Sequence, residues 1–336
     1  MMLPNSMQSI RRVSAIVPTY RDADRAIECA SRLYEQRLPA GTVLEVIAVD
    51  DGSGEGAAEA LKRGLPADTR IVLLPENRGR SAARQAGLDC ASGEVALFVD
   101  SDCQPTDDRY IERHLDRLMG EAAVASVGPV IGYDGRFWDR YQRSASARRR
   151  AMFEKGVVCS GSTQNMMVVT SSLRAAGGFD VRYRQYGFED RDLLIRMAKL
   201  GRIVWCDEAV VRHLDRICMV SVSEKMAAAA RENARLFSAE HPEEYKLLGY
   251  AAIDARERPW LRLLVPVCES WRLPVSRAFD TLERKRLLPW LVAFVLARTI
   301  SAASYLAGTG SAEVASRDRF PPPSAQEGAD VRTERS

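Results

Sequence analysis

Apolar strands and amphipathic helices alternate through the first hundred residues of the chain. Apolar runs at 13–18, 43–49 and 95–99 have the length and the β-branched content of buried strands, and a shorter run lies at 70–74. Helical patterns occupy 23–36 and 81–91 between them. Strands that alternate with helices at this spacing predict an α/β domain with a mostly parallel, doubly wound sheet.

Polar, turn-forming residues stand at or just after the ends of the three longer strands. They are Pro18, Tyr20, Asp50, Asp51, Asp100 and Asp102. In a doubly wound sheet the ligand binds beyond the carboxyl ends of the strands, so these residues are expected to face one crevice. Two aspartates one residue apart at a strand end can hold a divalent cation, although such a pair often only caps a turn. Taken alone, Asp100 and Asp102 leave these two interpretations equal.

The second half of the chain is less regular and has its own charged positions. An arginine-rich segment lies at 143–150, and a strand at 202–206 precedes His213. Glu189 and Asp190 open a helical pattern, and acids are favoured in a first turn whether or not they do chemistry. The basic segment is either a solvated helix face or a patch for an anionic lipid or a diphosphate-linked acceptor.

The C-terminal third is predicted to be mostly helical from 221 to 308, with a disordered tail at 309–336. The segment 287–307 is apolar, but Pro289 lies near its start and Arg298 in its interior. A membrane-spanning helix needs about 20 apolar residues and is disfavoured by a charge at its centre. A buried helix of a soluble domain, an interfacial helix and a true span all remain open, in that order of preference.

Composition excludes some classes of protein. The chain has 336 residues, of which 46% are hydrophobic and 28% charged, and a formal net charge of +3. These values are ordinary for a soluble globular protein, and the small positive charge does not indicate a nucleic-acid partner. Seven dispersed cysteines without a C-x-x-C pair indicate reduced intracellular thiols. No long apolar run precedes the first strand, so a cytoplasmic protein without a signal peptide is expected.

Four motifs, in an order that one known family shares, give the chain a resemblance. They are the strand and turn at 13–20, Val49-Asp50-Asp51-Gly52-Ser53, the stretch from Asn77-Arg78-Gly79 to Glu94, and Gly177-Gly178-Phe179-Asp180 with Glu189-Asp190-Arg191-Asp192-Leu193. In these motifs the chain resembles the family 2 glycosyltransferases, inverting enzymes with the GT-A fold, a Rossmann-like α/β architecture. The last motif is similar to the carboxyl-terminal motif of galactosyltransferases. The resemblance covers roughly 13–215.

The resemblance implies a reaction, a cofactor and substrates. The expected reaction is the metal-dependent transfer of a sugar, with inversion, from a nucleoside diphosphate sugar to a hydroxyl acceptor, in polysaccharide or glycoconjugate biosynthesis. A UDP-sugar is the favoured donor, Mn²⁺ or Mg²⁺ the cofactor, and a saccharide or lipid-linked group the acceptor. The implied glycosyltransferase domain spans 10–220, with a donor half up to about 105 and an acceptor half after it. Peripheral contact of the helical extension with the inner face of the cell membrane is compatible with this organisation.

The same motifs imply roles for individual residues. Asp190 corresponds to the general base, and Glu189 is expected to hold acceptor hydroxyls or to raise the pKa of Asp190 as a nearby like charge. Asp102 and His213 correspond to metal ligands. Arg84 is expected to contact the diphosphate or a loop carboxylate. The residues expected to bind the sugar nucleotide are Pro18, Tyr20, Asp50, Asp51, Arg84 and Asp100.

Two positions depart from the family pattern, and two other functions remain open. Gln85 stands where the family usually has Asn, and Cys103 follows the acidic pair where a third acid is common. His114 and His241 lie among charged residues in helical patterns and are expected to be solvated. One alternative function is a nucleotidyltransferase on a similar sheet, which usually needs a glycine-rich phosphate loop near the first strand. The other is a non-catalytic sugar-nucleotide-binding protein.

Overall fold

The computed structural model describes residues 10–310 and the backbone of 332–334. The strands are β1 (Arg12–Thr19), β2 (Val43–Asp50), β3 (Arg70–Leu73), β4 (Val95–Val99), β5 (Cys103–Pro105), β6 (Ala125–Val127), β7 (Val130–Ile131), β8 (Asn165–Val169), β9 (Ile203–Trp205), β10 (Val211–His213) and β11 (Arg332–Glu334). The helices are α1 (Ala23–Tyr34), α2 (Glu55–Gly64), α3 (Arg80–Cys90), α4 (Tyr110–Gly120), α5 (Phe137–Glu154), α6 (Thr170–Ala175), α7 (Glu189–Ala198), α8 (Met219–Arg231), α9 (Asn233–Glu240), α10 (Pro242–Leu247), α11 (Val265–Arg284) and α12 (Trp290–Gly310).

Eight strands form one sheet in the order β11-β3-β2-β1-β4-β8-β6-β9. β1 is parallel to β2 and β4, and β2 is parallel to β3. β8 is antiparallel to β4 and β6, and β11 is antiparallel to β3. The predicted α/β fold with a mostly parallel sheet is confirmed. Because β1, β2 and β4 run in one direction, the residues at their carboxyl ends lie at one edge of the sheet.

Helices cover both faces of this sheet, since successive strand residues point to opposite sides. On one face Ile16 and Phe98 share a core with residues of α3 and α7. On the other face Ala15, Val17 and Leu97 share a core with residues of α1 and α4. Strands buried on both faces are continuously apolar, which explains why the sequence pattern identified them.

The predicted helical C-terminal part is also confirmed, and it packs onto the sheet domain. α12 contacts α8 and α11 along much of its length. Phe188 and Ile195, at the start and in the middle of α7, share a core with Phe237, Tyr245 and Tyr305. The helical part therefore holds the end of α7 that lies nearest to the carboxyl ends of the strands.

α12 has an exposed apolar half and a buried half. Among the described residues it is the helix long and apolar enough to cross a membrane, by length and composition only. Residues 303–309 are buried, whereas Leu291 and Val295 are 73% and 61% exposed. α12 also extends to Gly310, so positions 309 and 310, which were predicted to belong to a disordered tail, are helical. The rest of that prediction lies outside the described residues, except for β11.

The prediction that His114 and His241 are solvated is wrong. The His114 ring nitrogens lie 2.9 Å from the Ser126 hydroxyl and 2.8 Å from Asn165 Oδ1, and burial lowers the pKa of His114 to about 4. His241 Nε2 lies 3.0 Å from Asp192 Oδ1, and the His241 side chain is only 11% exposed. Charged neighbours along the sequence do not reveal on which side of its backbone a histidine points.

Candidate active site

A cavity of about 350 Å³ opens where β1, β2 and β4 end, and we term it the strand-end cavity. Pro18, Tyr20, Asp51 and Asp100, all predicted to bind the sugar nucleotide, line it. The predicted metal ligand Asp102 lines it too. The topology therefore brings the ends of three strands, far apart in sequence, to a common ligand-sized space.

Asp51 organises the loop that borders the strand-end cavity. Its two carboxylate oxygens accept hydrogen bonds from the backbone N–H groups of Arg78 (2.8 Å) and Gly79 (2.9 Å). Gly79 has a φ of +89°, and a Cβ there would lie 2.3 Å from the backbone oxygen of Arg184. A glycine is therefore needed for these two loops to approach.

Asp50 lies behind the strand-end cavity rather than on its wall. It is 3% exposed, and its Oδ2 accepts a hydrogen bond from the backbone N–H of Ser53 (3.0 Å). Its Oδ1 has no hydrogen-bond partner in the described part of the chain. Of the two aspartates considered for nucleotide binding, Asp51 is the one that faces the cavity.

Three side chains converge at the rim of the strand-end cavity: Asp102, His213 and Asp215. Their ligand atoms lie within 4.8 Å of one another. β10 pairs with β5 so that His213 stands opposite Cys103, which brings His213 Nε2 to 3.2 Å from Asp102 Oδ2. Burial alone would raise the pKa of Asp102, but the hydrogen bond and charge of His213, with Arg80, hold it well below its usual range. Two carboxylates and an imidazole are a donor set that suits Mn²⁺.

Arg84 is fully buried and joins the end of β4 to the start of α7. Its Nη2 lies 2.7 Å from Asp100 Oδ1. Its Nη1 lies 3.4 Å from Glu189 Oε1 and 3.6 Å from Asp190 Oδ1. Arg84 was expected to contact the diphosphate or a loop carboxylate. In the structure it contacts carboxylates, and it does not line the strand-end cavity. Arg80, one turn earlier on α3, lines that cavity in its place.

Glu189 and Asp190 differ in the environment of their carboxyl groups. Asp190 accepts hydrogen bonds from the hydroxyls of Ser162 (3.0 Å) and Thr163. Burial would raise the pKa of Asp190, but the charge of Arg84 and these hydroxyls lower it. Burial and the charge of Asp190 raise the pKa of Glu189 to about 7. The expectation that Glu189 raises the pKa of Asp190 is therefore wrong, because the hydroxyl donors favour the charge on Asp190 and leave the proton to Glu189.

A second cavity, of about 140 Å³, lies at the amino terminus of α7, and we term it the helix-end cavity. Glu189 and Asp190 line it, and Arg80 and Tyr186 line both cavities. The Arg80 guanidinium lies 5.5 Å from the centre of the Tyr186 ring. The Asp102 cluster and Asp190 therefore occupy neighbouring cavities that share one arginine and one tyrosine.

Phe188 fixes the start of α7. Its backbone has a φ of +74°, a conformation that costs a residue other than glycine on the order of 1 kcal/mol and persists only when the surroundings impose it. The Phe188 ring lies 5.0 Å from that of Phe237 and 4.9 Å from that of Tyr250. The helical C-terminal part thus fixes the backbone at the start of α7, from which the side chains of Glu189 and Asp190 project.

The residues of these cavities that escaped the sequence analysis include Arg80, Tyr186, Asp215 and Lys225. Arg80 lies one helical turn before Arg84, so helix periodicity offered a signal for it. Asp215 comes two residues after His213, and an acid that close to a candidate ligand was a signal too. Tyr186 lies in an irregular loop, and Lys225 lies on α8, beyond the domain predicted at 10–220. For these two residues the sequence carried no signal.

Comparison with known proteins agrees with this arrangement. The family model described as "Glycosyl transferase family 2" matches residues 14–174. The chain contains a family 2 glycosyltransferase domain. The predicted family is therefore confirmed, and the matched part of this glycosyltransferase domain includes the strand ends, Arg84 and the two hydroxyls that hold Asp190.

The relatives of the chain include glycosyltransferase AglE from Haloferax volcanii. The two are 28% identical over 173 residues, 50% of this chain and 55% of the relative. An undecaprenyl-phosphate 4-deoxy-4-formamido-L-arabinose transferase from Salmonella paratyphi B is 33% identical over 190 residues, 56% of this chain and 52% of the relative. The chain thus spans about half the length of these curated relatives.

Solved structures resemble the chain over more of its length. The mannosyltransferase PcManGT from Pyrobaculum calidifontis, in complex with GDP-Man and Mn²⁺, matches with a TM-score of 0.57 and 20% identity. The match covers 90% of this chain and 88% of PcManGT. At this identity the similarity establishes the fold alone, and it confirms the GT-A architecture predicted for the chain.

Proposed function

We propose that the chain is an inverting glycosyltransferase that moves a sugar from a nucleoside diphosphate sugar to a hydroxyl acceptor in polysaccharide or glycoconjugate biosynthesis. One observation carries the proposal: the Asp102 cluster and Asp190 lie in neighbouring cavities. A direct displacement needs the leaving diphosphate and the attacking hydroxyl on opposite sides of the sugar, each with its own stabilising group. Two adjoining cavities of these chemistries meet that need.

The strand-end cavity is the proposed donor site. Tyr20, 40% exposed, offers a ring face to the nucleotide base, and the Asp51 carboxylate is an acceptor for a uracil imide or a guanine edge. Arg184 and Lys225 on the same wall supply positive charge for the diphosphate. A UDP-sugar is the first donor to test.

Asp102, His213 and Asp215 fit a divalent cation. Their ligand atoms converge within 4.8 Å, and Nδ1 of His213 is buried without a partner among the described residues. The imidazole favours Mn²⁺ over Mg²⁺. A cation bound there would neutralise the negative charge that develops on the diphosphate.

Asp190 is the proposed general base. Its lowered pKa keeps it ionised at neutral pH, ready to accept the proton of the acceptor hydroxyl. Glu189, whose pKa is raised to about 7, is largely protonated below that pH and donates a hydrogen bond to the acceptor. Arg84 contacts both acids and also Asp100 at the end of β4. One buried side chain therefore fixes the distance between the proposed base and the proposed site of the sugar donor.

A panel of sugar nucleotides tests the proposed function. Thermal unfolding of the purified chain is followed with UDP-, GDP- and dTDP-sugars, with and without Mn²⁺, and the hydrolysis of each donor is measured in parallel. We expect one donor to raise the melting temperature only with Mn²⁺ and to be turned over slowly. A non-catalytic binder would be stabilised without turnover. A nucleotidyltransferase would instead consume a nucleoside triphosphate and a sugar phosphate. Stabilisation without turnover, or consumption of these two substrates, rejects the proposal.

We also propose that the chain works at the inner face of the cell membrane, through the first half of α12. Leu287, just before α12, and Leu291, Val292 and Val295, within it, are between 47% and 73% exposed. Arg140 lies 4.2 Å from the centre of the Trp290 ring, and Arg148 and Arg298 flank Phe294. Exposed aliphatic side chains bordered by tryptophan and arginines match the boundary of an anionic bilayer.

Vesicle flotation tests this membrane contact. We expect the chain to float with vesicles that contain phosphatidylglycerol and to float less with phosphatidylcholine alone. The double substitution Leu291→Ser and Val295→Ser removes two exposed aliphatic side chains and is expected to weaken binding about tenfold or more. Leu200→Ser, at an exposed leucine that follows α7, is the control. Equal flotation of both variants would reject the contact, as would self-association through this face in solution.

A further inference from the structure

Three consecutive arginines of α5 lie in three different surroundings. Arg148 lies 5.5 Å from the centre of the Phe294 ring, and Arg150 lies 2.8 Å from a carboxylate oxygen of Asp207. Arg149 lines the helix-end cavity, beside the proposed base. In the described part of the chain, no carboxylate lies within ion-pair distance of Arg149. The basic segment is therefore divided between packing, an ion pair and the cavity.

Arg191 is a second cation on the wall of this cavity. Its Nη2 donates a hydrogen bond to the Tyr250 hydroxyl (3.2 Å), and its guanidinium lies 5.7 Å and 5.5 Å from the centres of the Phe188 and Tyr250 rings. Its Nε is buried without a hydrogen-bond partner among the described residues. Aromatic contacts thus fix the guanidinium. No described carboxylate lies within ion-pair distance of it, and the charge of Asp190 acts on it only from farther away.

The other two arginines of the cavity are balanced by acids. Arg84 contacts Asp100, Glu189 and Asp190, and Arg80 lies 3.8 Å from Asp100. The described acids that line the helix-end cavity, Glu189 and Asp190, are thus already shared with Arg84. An arginine stays charged at all relevant pH values, and enclosing its charge without an anion is unfavourable. The cavity has a surplus of positive charge beside the proposed base.

We propose that the acceptor carries an anionic group, a phosphate or a carboxylate, that binds Arg149 and Arg191 while its hydroxyl faces Asp190. The forked guanidinium matches the oxygen pairs of both groups. The inference rests on the proposed function, because it specifies the acceptor class of the same site. Two kinds of molecule have this chemistry: a lipid phosphate, whose chain would contact Met226 and Ala229 on the same wall, and an acidic sugar.

Four probes, in two matched pairs, test the proposal on the full chain. Farnesyl phosphate is compared with farnesol, and glucuronate with glucose, by calorimetric titration. The strand-end cavity is first filled with Mn²⁺ and the nucleoside diphosphate that stabilises the chain most. We expect one anionic probe to bind about 10- to 100-fold more tightly than its neutral partner, since hydrogen bonds to charged groups are the strong ones. The pair that shows the difference identifies the source of the anion.

Arg149→Gln is the main variant, because Arg149 lies at the cavity wall and makes no described ion pair. It is expected to remove the preference for the anionic probe, and Arg149→Lys is expected to retain part of it. Arg143→Gln is the matched control on the same helix, since Arg143 is exposed and pairs with Asp139. Arg149→Gln keeps the test usable even where a change at Arg191 disturbs the aromatic contacts around it.

The outcomes separate this inference from the proposed function. If both members of each pair bind equally, or Arg149→Gln keeps the full preference, the inference is wrong although the donor still binds. If the anionic probe competes with the nucleoside diphosphate, it occupies the strand-end cavity and the inference is again wrong. If no sugar nucleotide stabilises any form of the chain, it is the proposed function that fails.

Discussion

Asp190→Asn is expected to lower kcat/KM for sugar transfer by about 10²- to 10⁴-fold, the usual contribution of a general base. Asparagine keeps the shape of the side chain and still accepts a hydrogen bond from Ser162 or Thr163, but it cannot take up a proton. Arg84 retains Asp100 and Glu189 as ionic partners. The fold and donor binding are therefore expected to survive, so the loss should appear in transfer and not in donor stabilisation.

Asp116→Asn, at an exposed position on α4, is the control for this substitution. The pH dependence gives a second measure of the base. The pKa of Asp190 is lowered. As the pH falls, kcat/KM of the wild type is therefore expected to decrease only below the ordinary aspartate pKa of about 3.9. Full transfer by Asp190→Asn to every acceptor that the wild type uses would reject the assignment.

Asp102→Asn is expected to lower metal-dependent transfer by about 100-fold or more, since a cation at a developing diphosphate contributes several kcal/mol. The substitution removes an ionised oxygen ligand and the ionic partner of His213. Stabilisation of the chain by Mn²⁺, followed by thermal unfolding, should weaken in parallel. Treatment of the wild type with EDTA and exchange into metal-free buffer should give the same loss, and added Mn²⁺ should reverse it.

Asp68→Asn, at an exposed aspartate before β3, serves as the control for a lost carboxylate. Asp215→Asn is expected to have a smaller effect than Asp102→Asn, because Asp215 is exposed and less fixed than the partly buried Asp102. Transfer that is unchanged after EDTA treatment and buffer exchange would reject the metal site. If Asp102→Asn loses transfer but Mn²⁺ still stabilises the variant as it does the wild type, the cation binds at another site.

Strands β1 to β4 and helices α1 and α3 were predictable because buried positions are apolar, whereas α2, in which Leu61 is the buried residue, was not predicted. β4 is apolar at all five positions and was predicted with its observed bounds. The acids at its end were also visible, since a strand that stops in Asp-x-Asp is a local pattern. Asp190 was visible for a similar reason, as part of a contiguous motif at the start of a helix.

The environment of these residues was not predictable. Arg84 contacts Glu189 across 105 residues of sequence, and its charge, together with the hydroxyls of Ser162 and Thr163, lowers the pKa of Asp190. His114 was predicted to be solvated because its neighbours along the chain are polar, yet it points into the core. Such outcomes depend on which side chains meet in space, and spacing along one element does not encode this.

The sequence by itself determined the fold class, the family and the acids that end β4 and open α7. These features are recognisable in short contiguous stretches, because strand burial, turn chemistry and first-turn acids depend on residues that are close in sequence. The tertiary structure decided the rest: that Asp215 joins Asp102 and His213, that Lys225 of α8 reaches the strand-end cavity, and that Arg149 faces the helix-end cavity. These placements follow from packing between distant elements, where burial and charge compensation act across space rather than along the chain.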